Sequence, residues 1–260
     1  MVKEKTSMKK IIIGNLKMNI LSQAERETYL GAVKKELAGK KINNAEIVLC
    51  PPAIHLESFG KVLGKKVALG GQNCFWEEKG SYTGEISPVM LKNFGSEYVI
   101  IGHSERRKYF FENDQSINQK VLASLKNGLS PIICVGETKE ERQSGETMHV
   151  ITRQIKEAFA GVAPGKLEKI VVAYEPIWSV GSDSIPTSNE IMEAKVLIQK
   201  ILSRNFSQNM IQKMRIIYGG SVSVKTVGQA CIESGMEGAL IGRESLAPRE
   251  FLKIARIING

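Results

Sequence analysis

Ile170-Val171-Val172-Ala173-Tyr174-Glu175 is followed at once by Pro176. Five apolar residues in succession, two of them adjacent valines, form a short β-prone run that does not alternate with polar residues. A strand of that kind is buried on both faces, which is the signature of a parallel sheet covered by helices. Seven more runs of similar character span the chain: Ile11–Asn15, Ala45–Cys50, Lys66–Gln72, Tyr98–Gly102, Pro131–Val135, Arg215–Gly219 and Gly238–Gly242. Between them lie helical stretches: Ser22–Ala38, Ala53–Leu63, Asp114–Asn127, Glu140–Ala160, Ser188–Arg204, Val224–Ser234 and Pro248–Ile258. Alternating strands and helices predict βαβ units. Eight strands in 260 residues match the count and size of an α/β fold of the closed (β/α)8 type. An open doubly wound sheet usually carries about five to seven strands. No Gly/Pro/Ser-rich linker divides the chain, so a single barrel domain is expected over residues 9–260, after a basic N-terminal leader at 1–8.

The composition, 42% hydrophobic and 24% charged, is that of an ordinary globular protein. No apolar stretch approaches the roughly 20 residues of a membrane span. The net charge is +9, and Lys3, Lys5, Lys9 and Lys10 concentrate part of it at the start. The apolar run that follows, Ile11–Ile13, is too short for the core of a signal peptide. Elsewhere lysine and arginine are mixed with glutamate and lack aromatic interleaving, so neither a nucleic-acid nor a membrane partner is expected. Cys50, Cys74, Cys134 and Cys231 are far apart and form no C-x-x-C pair, which fits free thiols in a reducing cytoplasm. Neither a zinc-ligand spacing nor a nucleotide or dinucleotide fingerprint is present, and no metal or cofactor is expected.

In a barrel the chemistry sits where strands end and loops begin at the C-terminal face. Those positions hold Asn15 and Lys17 after the first strand, His103-Ser104-Glu105-Arg106 after the fourth, Glu175 after the sixth, Gly219-Gly220-Ser221 after the seventh and Gly242-Arg243 after the eighth. Lys17 reads either as a solvated lysine or as a cation aimed into the barrel mouth. His103 reads either as a hydrogen-bonded structural imidazole or as a catalyst. Glu175 closes a buried strand and must be paired or kept for proton transfer, because an uncompensated buried charge is costly. The glycine turns are either tight strand exits or an anion cradle of backbone N–H groups. A carboxylate base, an imidazole, a lysine and such a cradle together describe proton shuttling beside a carbonyl on a phosphorylated substrate.

The motifs Asn15-Leu16-Lys17-Met18-Asn19, Ile101-Gly102-His103-Ser104-Glu105-Arg106-Arg107, Ala173-Tyr174-Glu175-Pro176-Ile177-Trp178 and Tyr218-Gly219-Gly220-Ser221-Val222 resemble those of the triosephosphate isomerases. Gly80–Glu85 and Cys134-Val135-Gly136-Glu137 extend the resemblance, which runs in order from about residue 9 to the end. It implies a TIM barrel that interconverts dihydroxyacetone phosphate and D-glyceraldehyde 3-phosphate through an enediolate, in glycolysis and gluconeogenesis. By the same resemblance Glu175 is the base, strengthened by exclusion of water. His103, Lys17 and Asn15 stabilise the developing negative charge, and Glu105 holds Lys17. Residues 176–187 form a lid, backbone N–H groups near Gly181, Ser221 and Gly242 bind the phosphate, and the loop around Thr83 joins a homodimer.

Three departures from the family pattern bear on this. Leu16 stands where tryptophan is usual. Ser182-Asp183-Ser184-Ile185-Pro186 replaces the usual Thr-Gly-Lys-Thr-Ala, and Pro186 restricts both its own backbone and that of Ile185. Arg243 replaces a glycine, so it either clashes with the cradle, if a positive φ is needed, or adds a cation near the phosphate. The last two changes lie at the substrate end of the site. They leave open a paralogue acting on a four-carbon ketose phosphate such as erythrulose phosphate.

Overall fold

The computed structural model describes residues 8–39, 42–180 and 185–260. The expected leader at 1–8 therefore lies outside the described residues except for Met8, and so does Gly181. Eight parallel strands close on themselves: β1 (Lys10–Asn15), β2 (Ala45–Cys50), β3 (Ala68–Gly71), β4 (Ser96–Ile101), β5 (Ser130–Val135), β6 (Val171–Tyr174), β7 (Arg215–Tyr218) and β8 (Gly238–Ile241). Closure comes from β8 pairing with β1 in the register Ile11–Gly238 to Gly14–Ile241. A closed barrel leaves no exposed strand edge.

Each strand's residues divide between two cores with a period of two. Ile11, Ile13, Ile100, Val171, Ala173 and Leu240 pack together inside the barrel. Ile12, Ile101, Val172, Tyr174 and Ile241 face the other way, into the layer between sheet and helices. Continuing each alternation past the strand end positions the site. Asn15 follows Ile11 and Ile13, Glu175 follows Val171 and Ala173, and Gly242 follows Leu240, so all three open toward the barrel mouth. Leu16 falls on the outer side and is fully buried among the helix-packing residues. Its exchange for tryptophan is therefore a change of packing behind the catalytic loop.

Capping side chains fix several helix starts. Ser22 accepts from Glu25 N at the helix Gln23–Leu37, and Asn113 accepts from Ser116 N at the helix Asp114–Lys126. Thr138 with Glu141, and Thr187 with Glu190, form reciprocal capping boxes. The expected helix over 140–160 is two helices, Lys139–Gln143 and Thr147–Ala158, separated by Gly145 at φ +77°. In the expected helix over 224–234 only Gly228–Glu233 is helical, and it is wound as a π-helix.

The basic excess also has a structural place. Lys34 and Lys35, Lys61, Lys92, Lys126, Lys156, Lys200 and Arg256 all lie in the last turns of helices. A cation there complements the negative end of the helix dipole. Such charges are spread over separate helices and do not form a single stripe.

Candidate active site

A cavity of about 450 Å³ opens at the C-terminal end of the barrel, lined by Asn15, Lys17, His103, Glu175, the Gly219–Lys225 loop, Gly242 and Arg243. The chain thus brings together, from five different strand ends, every described residue that the sequence singled out for substrate contact.

Lys17 is held from several directions. Its backbone adopts φ +51°, a costly conformation for a residue with a side chain. Its N–H donates to Asn15 Oδ1 (3.0 Å), and Gln72 Nε2 donates to its carbonyl (2.8 Å) and to that of Cys50 (2.9 Å). At the other end Lys17 Nζ meets Glu105 Oε1 at 2.6 Å. Strained backbone pinned by neighbouring loops aims the ammonium into the cavity, and the ion pair expected with Glu105 is present.

His103 caps the short helix Ser104–Tyr109. Its Nδ1 accepts from Glu105 N at 3.2 Å. An acceptor at Nδ1 assigns the ring proton to Nε2. Nε2 stands 3.2 Å from Glu175 Oε1.

Glu175 is almost fully buried, and its charge is met by two donors from one residue: Ser104 N to Oε2 (3.1 Å) and Ser104 Oγ to Oε1 (3.0 Å). Its own N–H donates to Val135 O (2.7 Å), and Gly136 packs against its carbonyl. The buried Gln154 amide supports Gly136 on both sides, accepting from Gly136 N (2.8 Å) and donating to Gly136 O (3.2 Å).

A second carboxylate, Glu137, is fully buried in the loop after β5. It accepts from Trp178 Nε1 (2.9 Å) and from Tyr174 Oη (3.3 Å to each oxygen). Burial, together with this neighbouring carboxylate, pushes the Tyr174 phenol well above its usual range. Arg142 lies over the Trp178 ring, 4.4 Å from its centroid, and also pairs with Glu190. Glu190's carboxyl is lowered chiefly by the Thr187 N–H that it accepts in the capping box. These contacts tie Trp178, just past Glu175, to the start of the helix Ser188–Leu202. Cys134 lies next to the site, but burial raises its thiol far above the usual range, the charge of Glu175 adding to the effect. It is a packing residue and not a thiolate nucleophile.

At the opposite end of the cavity, Ser221 Oγ donates to Ser179 O (2.8 Å), and Ser179 Oγ meets Tyr218 Oη at 3.2 Å. Gly220 is packed so closely against Tyr218 and Ser179 that a side chain has no room. Gly242 faces the Lys17 side chain, and Arg243 begins a 3-10 turn, Arg243–Leu246, without a positive φ. The steric conflict considered for Arg243 is therefore absent, and the side chain is exposed at the cavity rim. Ser104, Gln72, Glu137 and Gln154 are contributors to which the sequence reading gave no role. Ser104 and Glu137 stand inside the quoted motifs, but nothing in a one-dimensional pattern says whose carboxylate or indole they meet.

The model of the triosephosphate isomerase family matches residues 10–258. The triosephosphate isomerase of Thermoanaerobacter pseudethanolicus is 42% identical over 246 residues, 94% of this chain and 97% of that protein. The one from Dictyoglomus turgidum is 43% identical over 249 residues, covering 95% and 99%, and that of Dehalococcoides mccartyi is 43% identical over 247, covering 95% of each. The match runs from the first strand to the last helix, through each strand end that lines this cavity, and on that footing the chain belongs to the triosephosphate isomerase family.

Proposed function

We propose that this protein interconverts dihydroxyacetone phosphate and D-glyceraldehyde 3-phosphate, the aldose–ketose step shared by glycolysis and gluconeogenesis. The observation that carries the reading is the facing of Glu175 and His103 across 3.2 Å in a cavity that also holds Lys17 and ends in the Ser221 and Gly242 turns. Glu175 removes a proton from the carbon beside the carbonyl and returns it to the neighbouring carbon. To do so its carboxylate exchanges the two Ser104 hydrogen bonds for the substrate. His103, with its proton on Nε2, donates to the enediolate oxygens, while Lys17 and Asn15 stabilise the same charge. Glu105 orients Lys17. Backbone N–H groups at Ser221 and Gly242 hold the phosphate, with Arg243 beside them. Gly181 belongs to the same proposal on sequence grounds.

The four-carbon alternative gains nothing from the departures that suggested it. Arg243 sits without backbone strain, and of the altered lid segment Ser182, Asp183 and Ser184 lie outside the described residues. A site fitted to the triose should prefer it over the homologue one carbon longer by about 10–200-fold in kcat/KM. Steady-state assays on dihydroxyacetone phosphate and erythrulose phosphate check this, and a higher value on the tetrulose overturns the assignment.

A homodimer accompanies this function. Thr83 lies in an exposed loop after β3, and the loops after β1, β2 and β4 expose Met18, Leu21, Ile54 and Tyr109–Phe111. Ile54 and Phe111 are each 84% exposed, apolar side chains that a second subunit would take out of water. Sedimentation equilibrium at micromolar concentration should give twice the chain mass, and Thr83→Arg should shift it toward the monomer. A wild-type monomer removes the dimer reading. No described helix is long and apolar enough to cross a membrane. The four cysteines are free thiols, and on that ground the enzyme is proposed to work in the reducing cytoplasm. The scattered helix-end lysines call for no nucleic-acid partner.

A further inference from the structure

Three cations line the cavity, and their surroundings differ. Lys17 is paired with Glu105. Lys225 and Arg243 are both exposed and, among the described residues, neither has a carboxylate within ion-pair distance, although Glu244 also lines the cavity. They stand in the loops after β7 and β8, which are paired neighbours in the barrel. Arg243 directly follows Gly242, and Lys225 comes four residues after Ser221, so the two side chains flank the turns proposed to hold the substrate phosphate. A residue adjacent to a main-chain anion cradle has its Cα only about 3.8 Å further along the chain. Its side chain can therefore reach a group bonded directly to the cradled phosphate. A triose phosphate has no such group.

We propose that Arg243 and Lys225 form a second anion subsite, and that diphosphates occupy it. One phosphoryl group would lie in the main-chain cradle and the next between the guanidinium and the ammonium. The inference rests on the isomerase reading for the place of that cradle, and it makes diphosphates competitive inhibitors of the isomerase. A planar guanidinium offers paired donors to phosphoryl oxygens and the lysine adds a point charge, a combination suited to a multiply charged tetrahedral group. The cavity, about 450 Å³, has room beyond a three-carbon phosphate.

Calorimetric titration of the full chain with inorganic pyrophosphate and orthophosphate tests the subsite directly, without relying on turnover. Pyrophosphate should bind about tenfold or more tightly than orthophosphate. Lys225→Ala should weaken pyrophosphate severalfold while leaving orthophosphate unchanged, and Lys225→Ala with Arg243→Ala should abolish the preference. Circular dichroism confirms that the variants are folded. Equal affinities in the wild type, or a preference that survives the double substitution, would overturn the subsite. An arm with a nucleoside diphosphate separates the sources. Binding as tight as pyrophosphate's makes the nucleotide a ligand, and binding no tighter than orthophosphate's leaves inorganic pyrophosphate. A parallel isomerase assay keeps the two readings apart. A protein that is inactive on trioses but prefers pyrophosphate contradicts the activity alone, and an active one without the preference contradicts the subsite alone.

Discussion

Glu175→Gln should lower kcat by about 10²–10⁴-fold, the usual contribution of a positioned general base. KM should move far less, because the phosphate and the carbonyl oxygens are held elsewhere. The fold should persist, since an amide oxygen can still accept from Ser104 Oγ or Ser104 N, the two donors that satisfy the carboxylate now. Glu175→Asp is the finer test. It keeps the charge and withdraws it by one methylene from a position 3.2 Å from His103 Nε2. Displacement on the order of 1 Å costs about 10²-fold when geometry sets the rate. Steady-state kinetics with the coupled assay, alongside thermal melts, reads both variants. Wild-type kcat in Glu175→Gln would remove this residue from the chemistry.

The second large effect falls on a residue that touches no substrate. Gly136→Ala places a methyl group inside the contact distance of the Glu175 carbonyl oxygen and crowds Pro176 N. The obstacle is backbone, so no side chain can rotate away. Either β5 and β6 part or Glu175 shifts. Overpacking of this kind costs about 1–3 kcal/mol or more, and about 2–4 °C in Tm for each kcal/mol in a chain of this size. Activity should drop with it, by about 10²-fold if the carboxylate moves on the order of 1 Å. Gly165→Ala is the matched control, because nothing lies within 4 Å of its added carbon and its backbone is not left-handed. Differential scanning calorimetry and kcat on both proteins make the comparison. Equal behaviour of the two variants would show that Gly136 does not set the position of Glu175.

Much of this site is legible because barrel chemistry sits at predictable places along the chain. The run from Ile170 to Glu175 reveals a buried strand and, at its end, a carboxylate that needs a reason to be there. Period-two alternation then puts Glu175 on the same face as Val171 and Ala173, and Asn15 on the face of Ile11 and Ile13. Lys17 and His103 are legible only from their places just past β1 and β4, since alternation alone would send His103 outward with Val99 and Ile101. What the pattern does not carry is pairing between loops. Ser104's two bonds to Glu175 join residues 71 apart. The Gln154 support of Gly136 depends on how a helix packs back on its own strand, and the Trp178–Glu137 bond on how neighbouring βα units meet.

Local winding was hidden for a different reason. Over 140–160 the helix-forming composition masked a break that Ser144-Gly145 encodes, because a left-handed glycine outweighs the propensity of its neighbours. The π-helix at Gly228–Glu233 has no compositional signal at all. Arg243 illustrates the limit of substitution logic. A glycine in relatives suggests a required positive φ, yet this chain accommodates arginine at negative φ as the first residue of a 3-10 turn.

Isotope exchange in D2O interrogates proton transfer at the substrate itself. When dihydroxyacetone phosphate is converted in D2O and the product is examined by proton NMR, glyceraldehyde 3-phosphate should carry solvent deuterium at carbon 2. Glu175→Gln should suppress that exchange together with turnover. Turnover and solvent exchange that both continue undiminished in Glu175→Gln would contradict a Glu175-borne enediolate mechanism.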